Sequence, residues 1–407
     1  MPRERLIFGN FTWLRKAGER SPAFLALKRE KRGSIISPLK KNRLFYISAA
    51  ILALGLALPA AAFHDGGVGN CGGCHGESGA GGARRQLRGS DPSSTCLICH
   101  ADGRSPGAPY AFTRSGASMS PGGDFYWLTK NFFWAGGSSH GDGHGHNVVA
   151  RDFGLRQDSR LSAAPGGSYP SSALGCTSCH DPHGKSGARG SGSYGQASSG
   201  RNIMGNYRLL GGTGYTGGKR SGGISFRSAA PVARQSAASK FGESDSSHVD
   251  YGSGMSEWCR NCHDRIHAGN SAFSHPAGVR LDPGMIDNYN RYVKTGDLSG
   301  SASSSYLALV PFERGTADPA QLDPSGTRGP DGNSKVMCLT CHRAHASAFR
   351  SIGRWDFDAQ AIARSHPAPG DGGAAGSDVL YSYYGRDMLS RFGPSQKQFC
   401  EKCHKPK

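Results

Sequence analysis

Cys338-Leu-Thr-Cys341-His342-Arg-Ala-His345 holds two cysteines three residues apart, a histidine directly after the second, and another histidine three residues on. Its first five positions recur along the chain. The other copies are Cys71-Gly-Gly-Cys74-His75, Cys96-Leu-Ile-Cys99-His100, Cys176-Thr-Ser-Cys179-His180, Cys259-Arg-Asn-Cys262-His263 and Cys400-Glu-Lys-Cys403-His404. Together they use all 12 cysteines. Cys-x-x-Cys-His is the attachment pattern of c-type haem. Its thiols bond to the porphyrin edge, and its histidine becomes the proximal iron ligand. The chain is therefore expected to carry six covalently bound c-type haems, with His75, His100, His180, His263, His342 and His404 as proximal ligands. Six disulfides in an exported chain would also use an even cysteine count, and Cys-x-x-Cys pairs form half of many zinc sites. Neither accounts for the histidine after every second cysteine, which chance places there roughly once in twenty to forty cases.

Upstream of the first copy, Lys40, Lys41 and Arg43 precede an apolar run from Leu44 to Leu58, followed by Ala60-Ala61-Ala62. That is a basic region, an apolar region and a small-residue cleavage site. The expected division is a signal-peptide region over 1–62, cleaved after Ala62, and a single hexahaem domain over 63–407. The apolar run, about 15 residues, falls short of the roughly 20 that span a bilayer. Residues 1–39 make an unusually long basic lead. Covalent haem attachment in bacteria takes place outside the cytoplasm, so the chain is expected to be exported. Its place is extracellular or on the outer cell surface, with the periplasm as the alternative.

The net charge is +18, and residues 1–62 with their 12 Lys/Arg and 3 Asp/Glu supply half of it. A basic protein suggests nucleic acid, but haem gives a better account. Six haems bring up to about twelve propionate charges, which the basic excess offsets. No nucleic-acid partner is expected.

Hydrophobic residues make up 36% of the chain, and 61 residues are glycine. Such a composition builds little ordinary core, whereas porphyrins offer large apolar faces to wrap. The expected fold is a multihaem cytochrome c: mostly coil with short helices and few small strands, its core formed by stacked haems. The Gly/Ser/Arg-rich stretch 184–223 reads as a surface or wrapping loop. First cysteines are spaced by 25, 80, 83, 79 and 62 residues. The three steps near 80 suggest repeated units, and the short first step suggests that haems one and two lie side by side.

Axial ligation decides between wire and enzyme. A haem with one histidine can take a substrate; one with two strong ligands mainly passes electrons. Ten of the 16 histidines are not proximal. Those best placed as distal ligands are His64, His146, His183, His267, His275 and His345. A histidine three residues past a proximal one, as His183 and His345 are, reaches a neighbouring haem more easily than its own. His140 and His144 stand in a Gly/His loop and read as surface residues, and His366 and His248 are weaker candidates. Met119, Met204, Met255, Met285, Met337 and Met388 are possible distal ligands, but packing on porphyrin suits them better. A multihaem reductase acting on nitrite or sulfite would need an open iron. With a histidine closing every copy and ligands to spare, electron transfer without a substrate pocket is the expected function, and no catalytic residue is assigned.

Several blocks between the haem motifs carry a resemblance. They include Pro121-Gly-Gly-Asp-Phe125, Gly145-His-Asn-Val148, Ala164-Pro-Gly-Gly-Ser-Tyr169, Leu210-Gly-Gly-Thr-Gly-Tyr215 and Cys341-His-Arg-Ala-His-Ala-Ser347. In this order they resemble the hexahaem outer-surface cytochromes of metal-reducing bacteria, the OmcS type that polymerises into nanowires. The resemblance implies bis-histidine ligation throughout and a homopolymer stacking haems end to end. It also implies outer-membrane cytochrome conduits as partners and extracellular acceptors such as metal oxides. In that family a histidine three residues past the first proximal one crosses the subunit boundary. Here Ser78 stands in that place. Either His64, His366 or His140 takes the role or the junction differs, and a shuttle that does not polymerise is the alternative.

Overall fold

The computed structural model describes residues 71–76, 86–104, 108–182, 207–217, 224–236, 238–239, 241–266 and 277–405. Regular structure within them is sparse, as the glycine and proline content dictates. The helices are α1 (Cys71–Cys74), α2 (Pro92–His100), α3 (Cys176–Cys179), α4 (Met255–Cys259), α5 (Pro283–Arg291), α6 (Cys338–Cys341), α7 (Gly376–Ser382) and α8 (Met388–Phe392). Short 3-10 turns, among them Phe125–Thr129 and Phe399–Lys402, fill some of the connections.

The two longest helices, α2 and α5, share one start signal. Asp91-Pro92 and Asp282-Pro283 place an aspartate at the N-cap and a proline at the first helical position. The carboxylates accept from the backbone N–H of Ser94 at 2.7 Å and of Met285 at 2.9 Å. This satisfies a donor that the first turn leaves without a partner.

Two antiparallel strand pairs complete the regular structure. β1 (Phe132–Trp134) pairs with β2 (Gly137–Ser139), and β3 (Val232–Gln235) pairs with β4 (Val249–Ser253) with a register shift at Val232/Ala233. Among the described residues no helix is long and apolar enough to cross a membrane.

The mostly-coil expectation holds, with one addition. The polypeptide also builds apolar clusters of its own between the haem motifs. One gathers Leu97, Phe125, Trp127, Phe132, Leu309, Trp355 and Phe399. The other joins β3 and β4 to Tyr207, Met255, Met337 and Leu339, with Cys179, Trp258 and Cys259 against it. Large aromatic rings bury much area per residue, so a chain with few apolar positions still closes a core.

Candidate haem sites

Each of the six motifs begins on a helical turn. α1, α3 and α6 span the two cysteines, α2 contains them, α4 ends at Cys259, and Cys400 lies in the turn Phe399–Lys402. Cysteines three apart on such a turn project to one side, which lets both thiols reach one porphyrin. The backbone N–H of His180, His263, His342 and His404 closes the turn on the first cysteine's carbonyl, at 2.9, 3.1, 3.1 and 3.0 Å. In α3 and α6 the residue before the second cysteine carries a hydroxyl. Ser178 Oγ accepts from Gly175 N–H and Thr340 Oγ1 from Met337 N–H, both at 3.0 Å.

Four of the six candidate proximal imidazoles share an orientation. Nδ1 lies 2.8 Å from the Pro109 carbonyl in His100, 2.8 Å from Arg208 in His180, 2.8 Å from Pro165 in His263 and 2.7 Å from Ser351 in His342. A carbonyl only accepts, so Nδ1 carries the proton and Nε2 keeps its lone pair for a metal. Such an outer partner fixes both tautomer and ring orientation.

The loops that provide these carbonyls alternate in kind. After the first, third and fifth motifs the backbone pairs antiparallel with a later segment, bridging His75 to Leu87, His180 to Leu210 and His342 to Gly353. In the third and fifth, Arg208-Leu209 and Ser351-Ile352 both take left-handed conformations, with φ of 54°, 55°, 57° and 59°. The second and fourth motifs use proline carbonyls instead. Helix contacts alternate as well. Ser93 Oγ in α2 accepts from Cys176 N–H at 3.1 Å, and Ser256 Oγ in α4 accepts from Cys338 N–H at 3.2 Å. At both junctions the first cysteines' thiols meet, Cys96 with Cys176 and Cys259 with Cys338. The repetition suggested by the spacing of about 80 residues is thus present locally, with a period of two motifs rather than one.

Of the six candidate distal histidines, His146 and His345 fall within the described residues; His64, His183, His267 and His275 lie outside them. Both described candidates face a proximal ring. The ring centroids of His146 and His263 are 6.0 Å apart, and those of His345 and His180 are 6.2 Å apart. Two imidazoles bonded to one iron from opposite faces, each at roughly 2 Å as in other imidazole–metal bonds, hold their centroids about 6 Å apart. His146 Nδ1 lies 2.6 Å from the Ala344 carbonyl, repeating the proximal arrangement. His345 stacks on Phe125 at 4.8 Å. Burial pushes the pKa of His146 down to about 4 and that of His345 to about 3, keeping both rings neutral.

Both candidates are held by one backbone junction. His146 N–H donates to the His345 carbonyl at 2.9 Å, and Ser347 N–H to the His144 carbonyl at 3.0 Å. Glycines permit the approach. A Cβ on Gly145 would sit 2.5 Å from the Ala346 Cβ, and one on Gly123, whose φ is +98°, would collide with the Ala346 carbonyl oxygen. A Cβ on Gly167 would collide likewise with the Cys262 carbonyl oxygen. Tyr215 donates its hydroxyl to the carbonyls of Thr177 and His180 at 2.6 and 2.8 Å. The glycine-rich blocks between the motifs thus pack closely on the backbone of the motifs and of the candidate ligands.

Other histidines separate by what their nitrogens do. His144 does not lie on the surface as its Gly/His loop suggested. It is fully buried, with Nδ1 donating to the Trp127 carbonyl at 2.9 Å and Nε2 accepting from Ser139 Oγ at 2.6 Å. The 3-10 turn Gly141–Gly143 folds it inward, because Gly141 fits closely against the Leu128 carbonyl. His248 is buried too, stacked on Tyr306 at 3.8 Å with Nε2 3.0 Å from the Gly326 carbonyl. His140 places Nε2 3.3 Å from Ser138 Oγ. His366 differs: Nδ1 is 2.7 Å from the Asp371 carboxylate, and the ring lies flat on Trp134 at 4.0 Å.

The cysteines suit thioether attachment. Among the described residues no motif's cysteines are joined by a disulfide. Burial pushes the Cys179, Cys341 and Cys403 thiols up to about 12. Donor set, tautomers and ring separations thus fit covalently held, doubly ligated haem.

Behind the fifth motif lies a buried charge cluster. Glu243 Oε2 accepts from Arg343 at 2.9 Å and Arg354 at 3.0 Å, with all three side chains at most 3% exposed. Burial opposes the carboxylate's charge, but Arg354, Arg343 and Arg386 hold its pKa down to about 2. Arg354 Nε also donates to the Leu339 and His342 carbonyls at 2.7 and 3.2 Å. Arg386 Nη2 donates to the Glu243 backbone carbonyl at 2.8 Å. The sequence marked neither this cluster nor the carbonyls of Pro109, Pro165, Arg208 and Ser351; only the glycines beside some of them signalled a close approach.

No protein-family model matches the chain. It is 38% identical, over 432 aligned positions covering 90% of this chain and 99% of the relative, to the C-type cytochrome OmcS of Geobacter sulfurreducens. It superposes on the outer membrane cytochrome S filament of that organism with a TM-score of 0.69 and 35% identity, over 84% of this chain and 99% of the other. A cryo-EM structure of OmcS nanowires matches with a TM-score of 0.67 and 34% identity, over the same shares.

Proposed function

The chain belongs to the OmcS-type c-type cytochromes, and from that membership we propose that it carries electrons outside the cell along a filament of its own copies. It is an electron-transfer protein, not an enzyme, and it holds haem c covalently. The observation that carries the reading is the facing of His263 by His146 and of His180 by His345, at 6.0 and 6.2 Å.

The haem count is read as six, through Cys71, Cys74, Cys96, Cys99, Cys176, Cys179, Cys259, Cys262, Cys338, Cys341, Cys400 and Cys403. The proximal ligands are His75, His100, His180, His263, His342 and His404. His146 serves the iron held by His263, and His345 the iron held by His180. His64, His183, His267 and His275 serve the other four. Bound haem c supplies a one-electron iron couple. The chain's part is to hold two neutral imidazoles on each iron, with backbone carbonyls fixing His100, His146, His180, His263 and His342, so that accepting or losing an electron moves no ligand. Walls of glycine, tyrosine and tryptophan bring successive sites close enough for outer-sphere transfer.

Residues 1–62 are read as the export region, and 63–407 as one hexahaem domain. Outer-membrane cytochrome conduits would feed the filament, and metal oxides would drain it. The alternative to His64 for the ligand that Ser78 cannot supply is His366. Its Nδ1 is held by Asp371, and Trp134 fixes its plane.

The mature chain should carry six haem mass increments and begin at Phe63. Cryo-EM of the secreted protein should show filaments with two histidines on every iron. A mass lacking six additions, or irons with one histidine, would overturn the reading.

A further inference from the structure

We infer that Glu243 and the arginines around it set the reduction potentials of the two haems ligated by His342 and His345. The inference rests on the ligation proposed above. Arg343 lies in the chain between those two histidines, so its guanidinium is tied to both sites by one and two peptide units. Arg354 is tied to the fifth motif by its hydrogen bonds to the Leu339 and His342 carbonyls.

The cluster has a surplus of positive charge. One carboxylate, Glu243, faces the guanidiniums of Arg343, Arg354 and Arg386. The next carboxylate outward, Asp245, pairs with Arg391. Arg343 lies over the Tyr384 ring, its guanidinium carbon 3.8 Å from the centroid, which shields it from solvent. Glu243 Oε1, Arg354 Nη2 and the Tyr306 hydroxyl are buried without hydrogen-bond partners. The remaining charge is therefore felt through a low dielectric instead of being cancelled locally.

A ferric haem carries one more positive charge than a ferrous one. Each electron that reduces one of these irons is favoured by the surplus nearby, so the two potentials are raised above those of haems without it. Glu243 limits that rise. It acts through the arginines and touches no haem ligand, which makes it a positioning residue.

The test is a spectroelectrochemical titration of the six-haem protein, resolved into one-electron components. Glu243→Gln should move two components to higher potential and leave the other four in place. Arg343→Gln should move the same two to lower potential. Glu243→Asp keeps the charge and should leave all components near wild type, whatever it does to thermal stability. Unmoved components in Glu243→Gln, or shifts of the same sign in Glu243→Gln and Arg343→Gln, sink the inference. Where Glu243→Gln does not fold, Arg343→Gln decides it: two components moving to lower potential while Glu243→Asp leaves all six in place support the inference, and unmoved components in Arg343→Gln sink it. His345→Ala separates this from the ligation reading: six low-spin haems surviving in that variant would remove the ligation itself.

Discussion

At the scale of single residues, two positions carry most of the consequence. His345 is the described ligand candidate whose Nδ1 lacks a well-formed hydrogen bond, so stacking on Phe125 does most to orient it. Replacing it with alanine should turn one haem of the six high-spin and let its reduced form bind carbon monoxide. Optical titration with the gas reads this directly, and a variant that binds none would contradict the assignment. Gly123 is as constrained as any ligand. Its φ of +98° and the Ala346 oxygen packed against its Cα leave no room for a side chain. Gly123→Ala should cost about 2–4 kcal/mol, from strain and overpacking together. Thermal unfolding followed at the Soret band measures it. The candidate attachment cysteines and proximal histidines are legible in the sequence because covalent haem attachment has a fixed spelling. His144 is not, because a histidine between glycines looks the same whether a turn leaves it outside or folds it in.

At the scale of elements, the same junction is built twice. A serine three residues before a first cysteine caps the helix of the next motif, Ser93 for Cys176 and Ser256 for Cys338. Removing either hydroxyl by alanine substitution should cost about 1 kcal/mol, as for other helix caps. The two losses should add, because the junctions share no partner. Denaturant unfolding of the single and double variants checks both statements. The caps of α2 and α5 can be read from the Asp-Pro pairs alone. The alternation between left-handed loops and proline carbonyls cannot. It rests on backbone oxygens, which every residue has, so no residue type announces it. Even spacing suggests a period of one motif, whereas hydrogen bonding reveals two.

Across the whole molecule, buried carboxylates give stability a pH dependence with two arms. Glu243 has its pKa held down to about 2 by Arg354, Arg343 and Arg386 against the cost of burial. Its contribution is present above the ordinary glutamate range and fades as pH falls through about 2. Glu313 is the opposite case. Burial pushes it up to about 7, while its Oε1 accepts from Met255 N–H at 2.7 Å at the start of α4. Its contribution is complete below the ordinary range and is lost as pH rises through about 7. The melting temperature should therefore drop between pH of about 5 and about 8, and Glu313→Gln should flatten that drop. An unchanged slope in the variant would point to another group.

The meeting of residues 144–147 with 344–347 also bears on biogenesis. Export delivers the chain from its N-terminus, and His345 follows His180 by 165 residues. On the proposed ligation, a third porphyrin attached during export would wait for its second imidazole until that much more chain had crossed. Its iron would meanwhile have an open side toward oxygen, peroxide or any stray ligand. Secretion speed, or a chaperone that covers the interval, becomes part of making an intact wire.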